Sequence, residues 1–386
     1  MEAYLDNAAT TRPYDLVRDI MIHSLSVGYG NPSSMHTKGF EAENYIKRSK
    51  EIIAKNLKVD QKEIIFTSGG TESNNLALIG TALANKRTGN HIITTCIEHP
   101  SVYNPLIALE DLGFRVSYIS VDSKGKLNVD QLMDELCEET ILVSIMYVNN
   151  EIGSVQDIAA ISKMIKGKNP NVILHVDAIQ AYGKYYIYPK RMGIDLLSVS
   201  GHKIHGPKGS GFLYIKDKVK VKPLIFGGGQ QKDMRSGTEN VPAIAGLGEA
   251  IKEIYENHEE KVNHLYKLKE NFIQLVSEIP ETTINGLSDN IRDTAPHIIS
   301  VSFKDIRSEV LLHSLEEKGI YVSSGSACAS NHPQISGTLK AIGVKKELLD
   351  STIRFSFSVN TTMEEIEYTI ACLREIVPIL QKYRRM

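Results

Sequence analysis

Short runs of apolar, β-branched residues recur along the chain, alternating with stretches whose apolar positions repeat at helical spacing. The runs fall at 63–67 (EIIFT), 91–95 (HIITT), 116–121, 141–148 (ILVSIMYV), 172–176 (VILHV), 196–200 (LLSVS) and 211–215. Amphipathic stretches at 71–84, 101–111 and 157–166 separate several of them. Continuously apolar strands divided by helices predict a largely parallel sheet covered on both faces, the α/β class. From 241 to about 277 the pattern is helical throughout and reads as one long, charged, amphipathic stretch. Beyond it come a second set of strands, 298–303 and 353–358, and a closing helix at 363–383. This change of pattern predicts a large domain over 13–256 and a smaller C-terminal α/β domain over 257–386. Residues 1–12 are expected to fold back onto the smaller one.

Composition narrows the class without changing this picture. The chain has 386 residues, 42% hydrophobic and 23% charged, as an ordinary globular protein does. A formal net charge of −2 leaves no basic footprint for direct nucleic-acid binding and no polybasic membrane anchor. No apolar stretch approaches the about 20 residues of a membrane helix, and the first residues lack the basic and apolar regions of a secretory signal. With four cysteines and no CxxC spacing, a disulfide framework is not expected, and a cytoplasmic location is. Cys96, Cys137 and Cys372 lie in apolar or amphipathic stretches and are expected to be buried and inert. Cys328 differs. It sits in Ser323-Ser324-Gly325-Ser326-Ala327-Cys328-Ala329-Ser330-Asn331, a stretch too small and polar to bury a thiol and expected to form a mobile loop, about 323–336.

Ligands of an open parallel sheet bind beyond the carboxyl ends of its strands, so the residues that follow each strand carry the chemistry. After 63–67 comes Ser68-Gly69-Gly70-Thr71-Glu72, opening a helix. Glycines before a helix N-terminus let backbone N–H groups approach an anion, which makes this turn a candidate phosphate cradle; a capped Gly-rich turn is the plainer alternative. After 91–95 comes Glu98-His99, after 141–148 Asn149-Asn150-Glu151, and after 172–176 Asp177-Ala178-Ile179-Gln180. After 196–200 comes Gly201-His202-Lys203. An aspartate closing an apolar run needs a cationic partner or water. A lysine at a sheet edge can be tuned for Schiff-base chemistry. Each feature alone has a bland structural reading, including a metal shared by His202 and His205, which the flanking glycines fit less well than phosphate. Together they suit pyridoxal 5'-phosphate, which needs a lysine, an acidic partner for its ring nitrogen, a phosphate cradle and a group against its ring.

The motifs then carry a resemblance. Tyr4-Leu5-Asp6-Asn7-Ala8-Ala9, Gly30-Asn31-Pro32-Ser33-Ser34, Thr67-Ser68-Gly69-Gly70-Thr71-Glu72-Ser73-Asn74-Asn75, Asn149-Asn150-Glu151-Ile152-Gly153, Asp177-Ala178-Ile179-Gln180, Ser200-Gly201-His202-Lys203, Arg235-Ser236-Gly237-Thr238-Glu239-Asn240 and Ser324-Gly325-Ser326-Ala327-Cys328 span nearly the whole chain. With them the chain resembles the NifS/IscS-type cysteine desulfurases of the class V aminotransferase group. The resemblance implies a pyridoxal-phosphate fold type I, with a seven-stranded, mainly parallel sheet in the large domain. It implies removal of sulfur from L-cysteine, giving alanine and a Cys328 persulfide. Lys203 resembles the cofactor lysine, Asp177 the ring-nitrogen partner, Gln180 the donor to the ring hydroxyl, and His99 the ring-stacking, proton-moving histidine. Gly70, Thr71, Ser200 and His202 resemble the phosphate cradle. Thr238 resembles the residue that reaches a neighbouring subunit's phosphate, which implies a homodimer. Asn150 and Arg354 resemble the holders of the substrate carboxylate.

Two departures bear on partners. The chain closes soon after the helix 363–383, without the longer tail of scaffold-binding relatives, and Arg354-Phe355-Ser356-Phe357-Ser358-Val359 replaces the family's Arg-Phe-Ser-x-Gly-Arg. The expected sulfur acceptor is a protein, in tRNA thiolation, thiamine biosynthesis or iron–sulfur cluster assembly. Other class V activities, an aminotransferase or a selenocysteine lyase, share the fold, as would a silent regulator. Cys328 is the feature a transaminase would not need.

Overall fold

The computed structural model describes residues 1–324 and 336–383. Among these, thirteen strands appear in chain order: β1 (Ala3–Tyr4), β2 (Ile64–Thr67), β3 (His91–Thr95), β4 (Arg115–Ile119), β5 (Thr140–Met146), β6 (Ile173–Asp177), β7 (Leu196–Ser200), β8 (Gly211–Ile215), β9 (Thr282–Asn285), β10 (Ile298–Phe303), β11 (Ile320–Tyr321), β12 (Ser323–Ser324) and β13 (Thr352–Ser356).

The large sheet has seven strands in the order β2-β8-β7-β6-β5-β3-β4. Pairing is parallel from β7 through β4, while β8 runs antiparallel to both β2 and β7. The expected mainly parallel, seven-stranded sheet is thus what forms. Its central strands are buried along their length because helices cover both faces; β5 and β7 are buried at every position. That two-sided burial is why these strands read as unbroken apolar runs rather than as alternation.

A second sheet, β12-β13-β10-β9, is antiparallel and has its own core, with Leu268, Phe272, Val301, Phe303, Phe355 and Leu373 at its centre. Ala3 and Leu5 belong to this second core, since β1 pairs in parallel with β11 and Asp6 bridges to Ser356. The chain's first residues are thereby stitched to its last third before they run past the large sheet.

The helical stretch 241–277 is not continuous. Val241–Tyr255 and His258–Ser277 are separate helices, broken at Glu256-Asn257, where Glu256 is extended and the Asn257 φ of 49° lies in the left-handed region. Both flanks are amphipathic, so periodicity alone could not reveal a break made by two backbone conformations. Asp177, read as following its strand, is the last residue of β6. Cys96 is exposed and Cys137 half-buried, against the expectation of burial; only Cys372 of the three is enclosed. Among the described residues no helix is long and apolar enough to cross a membrane.

Candidate active site

A cavity of about 350 Å³ opens beyond the carboxyl ends of the parallel strands. Its walls include Gly70, Thr71, His99, Asn150, Asp177, Gln180, Ser200, His202, Lys203 and Arg354. Eleven of the twelve residues singled out from the sequence are either these or Thr238; the twelfth, Cys328, lies outside the described residues. Thr238 is exposed and lines a different recess of about 180 Å³ with Ser68, Arg235 and Gly237.

Each side chain arrives by a simple local route. Asp177 ends β6 and is enclosed. It accepts from the Ile179 amide at 3.0 Å and from Asn74 Nδ2 at 2.8 Å. Burial pushes its carboxyl up, and His99 and Lys203 pull against that rise. A buried carboxylate so placed is most stable with a cation against it.

Asn74 sits four residues, about one turn, after Gly70 on the helix Gly70–Asn85, so both face the sheet. Its other hydrogen goes to Ser101 Oγ at 2.9 Å, which lies 2.8 Å from His99 Nδ1. His99 Nδ1 also accepts the Ser101 amide at 3.1 Å, capping the helix Pro100–Asp111. With Nδ1 an acceptor, the proton of the neutral ring is on Nε2. Burial holds His99 below its ordinary value, Asp177 opposes that, and Lys203 adds to it.

Lys203 closes the short turn after β7. Its Nζ donates to the carbonyls of Ala8 and Ala9, each at 2.6 Å. The chain's N-terminal segment therefore forms one wall, positioned by the β1–β11 pairing. His202 is held near 4 by burial and by the charges of Lys203 and Lys208, so its ring is neutral at pH 7.

Arg354 reaches the cavity from β13. Its Nη1 donates to the Asn150 carbonyl at 2.9 Å and its Nη2 to Asp6 Oδ1 at 2.8 Å, while Nε is buried without a protein partner among the described residues. An arginine with donors in hand at a cavity wall suits a carboxylate ligand.

Pyridoxal phosphate fits this arrangement. The N-terminus of the helix Gly70–Asn85 opens onto the cavity, and a Cβ at position 70 would lie 2.2 Å from Ile179 Cδ1, so a larger residue there would push the Ile179 side chain aside. Asp177 offers the buried negative charge that a protonated ring nitrogen requires.

Several participants escaped sequence reading. Asp6, whose ion pair with Arg354 spans 348 positions, carries no local signal. Neither do the Ala8 and Ala9 carbonyls. Asn74 could have been found from its helical spacing to Gly70. Glu98, beside His99, has its carboxyl enclosed behind the cavity. Its Oε1 accepts from Thr95 Oγ1 and the Met146 amide, and its Oε2 has no partner among the described residues.

The chain is similar to known proteins over nearly its full length. The chain matches the family described as "Aminotransferase class-V" over residues 3–369. It is 42% identical over 381 residues to "Cysteine desulfurase IscS" of Dictyoglomus turgidum, covering 98% of this chain and 95% of that one. Of the solved structures, "NIFS-LIKE PROTEIN" superposes with a TM-score of 0.92 at 37% identity, covering 98% of this chain and 100% of the other. "SspA in complex with cysteine" gives 0.81 at 33% identity, covering 93% and 100%.

Proposed function

This chain belongs to the class V aminotransferases and, among them, to the cysteine desulfurases, and on that premise we propose how its residues divide the work of moving sulfur from L-cysteine. The observation that carries the reading is the convergence of Lys203, His99, Asp177, Gln180 and Arg354 on one cavity. Pyridoxal phosphate, when bound, supplies the electron sink that makes the substrate's Cα–H bond acidic and its C–S bond labile.

Gly70, Thr71, Ser200 and His202 hold the phosphate, Asp177 holds the ring nitrogen and Gln180 donates to the ring oxygen. Arg354 and Asn150 fix the substrate carboxylate, with Asp6 giving way to it. Lys203 holds the cofactor and then takes the Cα proton; its amine lies in the same cavity. His99, with its proton on Nε2, moves the proton at the substrate sulfur. The Cys328 thiolate attacks that sulfur, so an S–S bond forms as the C–S bond breaks. The C–S electron pair leaves with the three-carbon product, which takes up protons and departs as alanine.

The acceptor is a second protein, in tRNA thiolation, thiamine biosynthesis or iron–sulfur assembly. The altered segment Arg354-Phe355-Ser356-Phe357-Ser358-Val359 leaves a thiolation route on an equal footing with iron–sulfur assembly. The protein works in the cytoplasm as a homodimer. Thr238, outside its own chain's cavity, serves the partner's phosphate. Residues 13–256 act as the cofactor domain, and 1–12 with 257–386 as the domain carrying Cys328.

The test is product formation from L-cysteine under reducing conditions by the cofactor-loaded protein. Wild type is expected to release alanine and sulfide in equal amounts, with Lys203→Ala and Cys328→Ala each lowering both by about a hundredfold or more. Alanine release by Cys328→Ala at the wild-type rate would overturn the assignment to that thiol.

A further inference from the structure

Beneath Gln180, away from the cavity, lies His297, 1% exposed and immediately before β10. Its Nε2 is 3.2 Å from Gln180 Oε1, and its Nδ1 has no partner among the described residues. The other end of the Gln180 amide, Nε2, donates to the Ala8 carbonyl at 2.9 Å. That same carbonyl accepts Lys203 Nζ.

We propose that His297 is a positioning residue which, by donating its Nε2 hydrogen to Gln180 Oε1, fixes the Gln180 amide with its N–H end toward the cavity. The inference rests on the reading that Gln180 donates to the cofactor's ring oxygen, and it adds what makes Gln180 a donor there. An amide can present either end, so a glutamine alone does not specify donor or acceptor. Two neighbours remove the ambiguity. The Ala8 oxygen can only accept, and would face another acceptor if the amide turned over. His297 can only donate at Nε2 if its single proton is there.

The surroundings settle the proton. Burial holds the His297 ring neutral, well below its ordinary value, and Arg354 and Lys203, with the partial charge left on Lys184 and Lys269 (both lowered to about 7 by their own burial), add to this. Lys184 is tied to the Lys203 carbonyl at 2.8 Å, and Lys269 to Thr294 Oγ1 and the Ala295 carbonyl at 2.8 and 2.7 Å. A neutral ring has one proton to place. On Nδ1 it would be a buried N–H without an acceptor, leaving two lone pairs opposed at Gln180. On Nε2 it is satisfied, and only a lone pair at Nδ1 goes unused, the cheaper of the two omissions.

The test reads the bound cofactor's absorbance against pH. A hydrogen bond to the ring oxygen draws electron density from the anion that otherwise shares a proton with the Lys203 nitrogen. Its loss strengthens that hold. His297→Leu, close in size and unable to donate, leaves Gln180 Oε1 unpaired and the amide held by the Ala8 carbonyl alone, and is expected to raise the midpoint by about half a unit to one unit. In a Gln180→Leu background the same change is expected to move it no further, since its only route is gone.

An unmoved midpoint in His297→Leu overturns the proposal, as does an equal further shift in the Gln180→Leu background. Nitrogen-15 shifts of histidine in the wild-type holoenzyme require no variant to fold. They are expected to show a neutral ring protonated on Nε2; an Nδ1 proton or an imidazolium would overturn it. Alanine release is a separate readout, so an unmoved midpoint with normal turnover sinks the role of His297 alone and leaves the desulfurase reading standing.

Discussion

Glu98 shows how much one enclosed carboxyl can reveal. Burial pushes it up to about 8, and Asp177 adds to the rise against the bonds from Thr95 and Met146. The unfolded chain loses this proton at an ordinary carboxyl value, so between about 4.5 and about 8 the folded state holds a proton that the unfolded state has lost. Stability must therefore fall as pH rises through that window and level off above it. Glu98→Gln removes the dependence while keeping the acceptor for Thr95 and Met146. Urea unfolding from about pH 5 to about pH 8 should show the variant gaining on wild type, by on the order of a few kcal/mol at the alkaline end. Parallel pH curves for the two proteins would contradict the placement of this carboxyl. The residue was visible in the sequence as His99's neighbour, but nothing in a lone Glu-His pair says which of the two is enclosed.

At the scale of elements, the proposed phosphate cradle depends on how closely β8 approaches the turn before the helix Gly70–Asn85. Gly211 begins β8 and pairs with both Thr67 of β2 and Ser200 of β7, the two strand ends that carry the cradle. A Cβ there would sit 2.6 Å from the Val199 carbonyl and 2.8 Å from Gly69 Cα. Both are backbone atoms, so neither can rotate away. Gly211→Ala should cost about 1–3 kcal/mol in unfolding and weaken cofactor retention by about tenfold, measured by bound absorbance after dialysis. Full retention would mean that the cradle does not rest on this contact. The strands themselves were legible because two-sided burial makes them continuous apolar runs, and their polar ends followed from where each run stops. The break at Glu256-Asn257 was not, because two amphipathic helices joined by one extended and one left-handed residue share a single pattern. Nor was the exposure of Cys96, which sits one residue beyond the end of β3, where an apolar neighbourhood in sequence no longer means enclosure in space.

Across the whole molecule, the site belongs to neither sheet alone. Lys203, Asp177 and His99 come from the ends of parallel strands, Arg354 from the antiparallel sheet, and Asp6, Ala8 and Ala9 from a segment tethered by β1 to β11. Motifs placed the first group, since each stands at a strand end. The links between groups, Asp6 to Arg354 and His297 to Gln180, join positions 348 and 117 apart and exist only once the chain has folded. That assembly is what a substrate with a carboxylate at one end and sulfur at the other requires, and the account turns on where the sulfur goes. The direct measurement is a single turnover of the loaded protein with L-cysteine in the absence of reductant, followed by mass analysis of its peptides. The predicted result is one additional sulfur on the peptide containing Cys328, released as sulfide when reductant is added. Sulfur retained on the Cys96, Cys137 or Cys372 peptide instead, or alanine formed with no sulfur held by the protein, would contradict it.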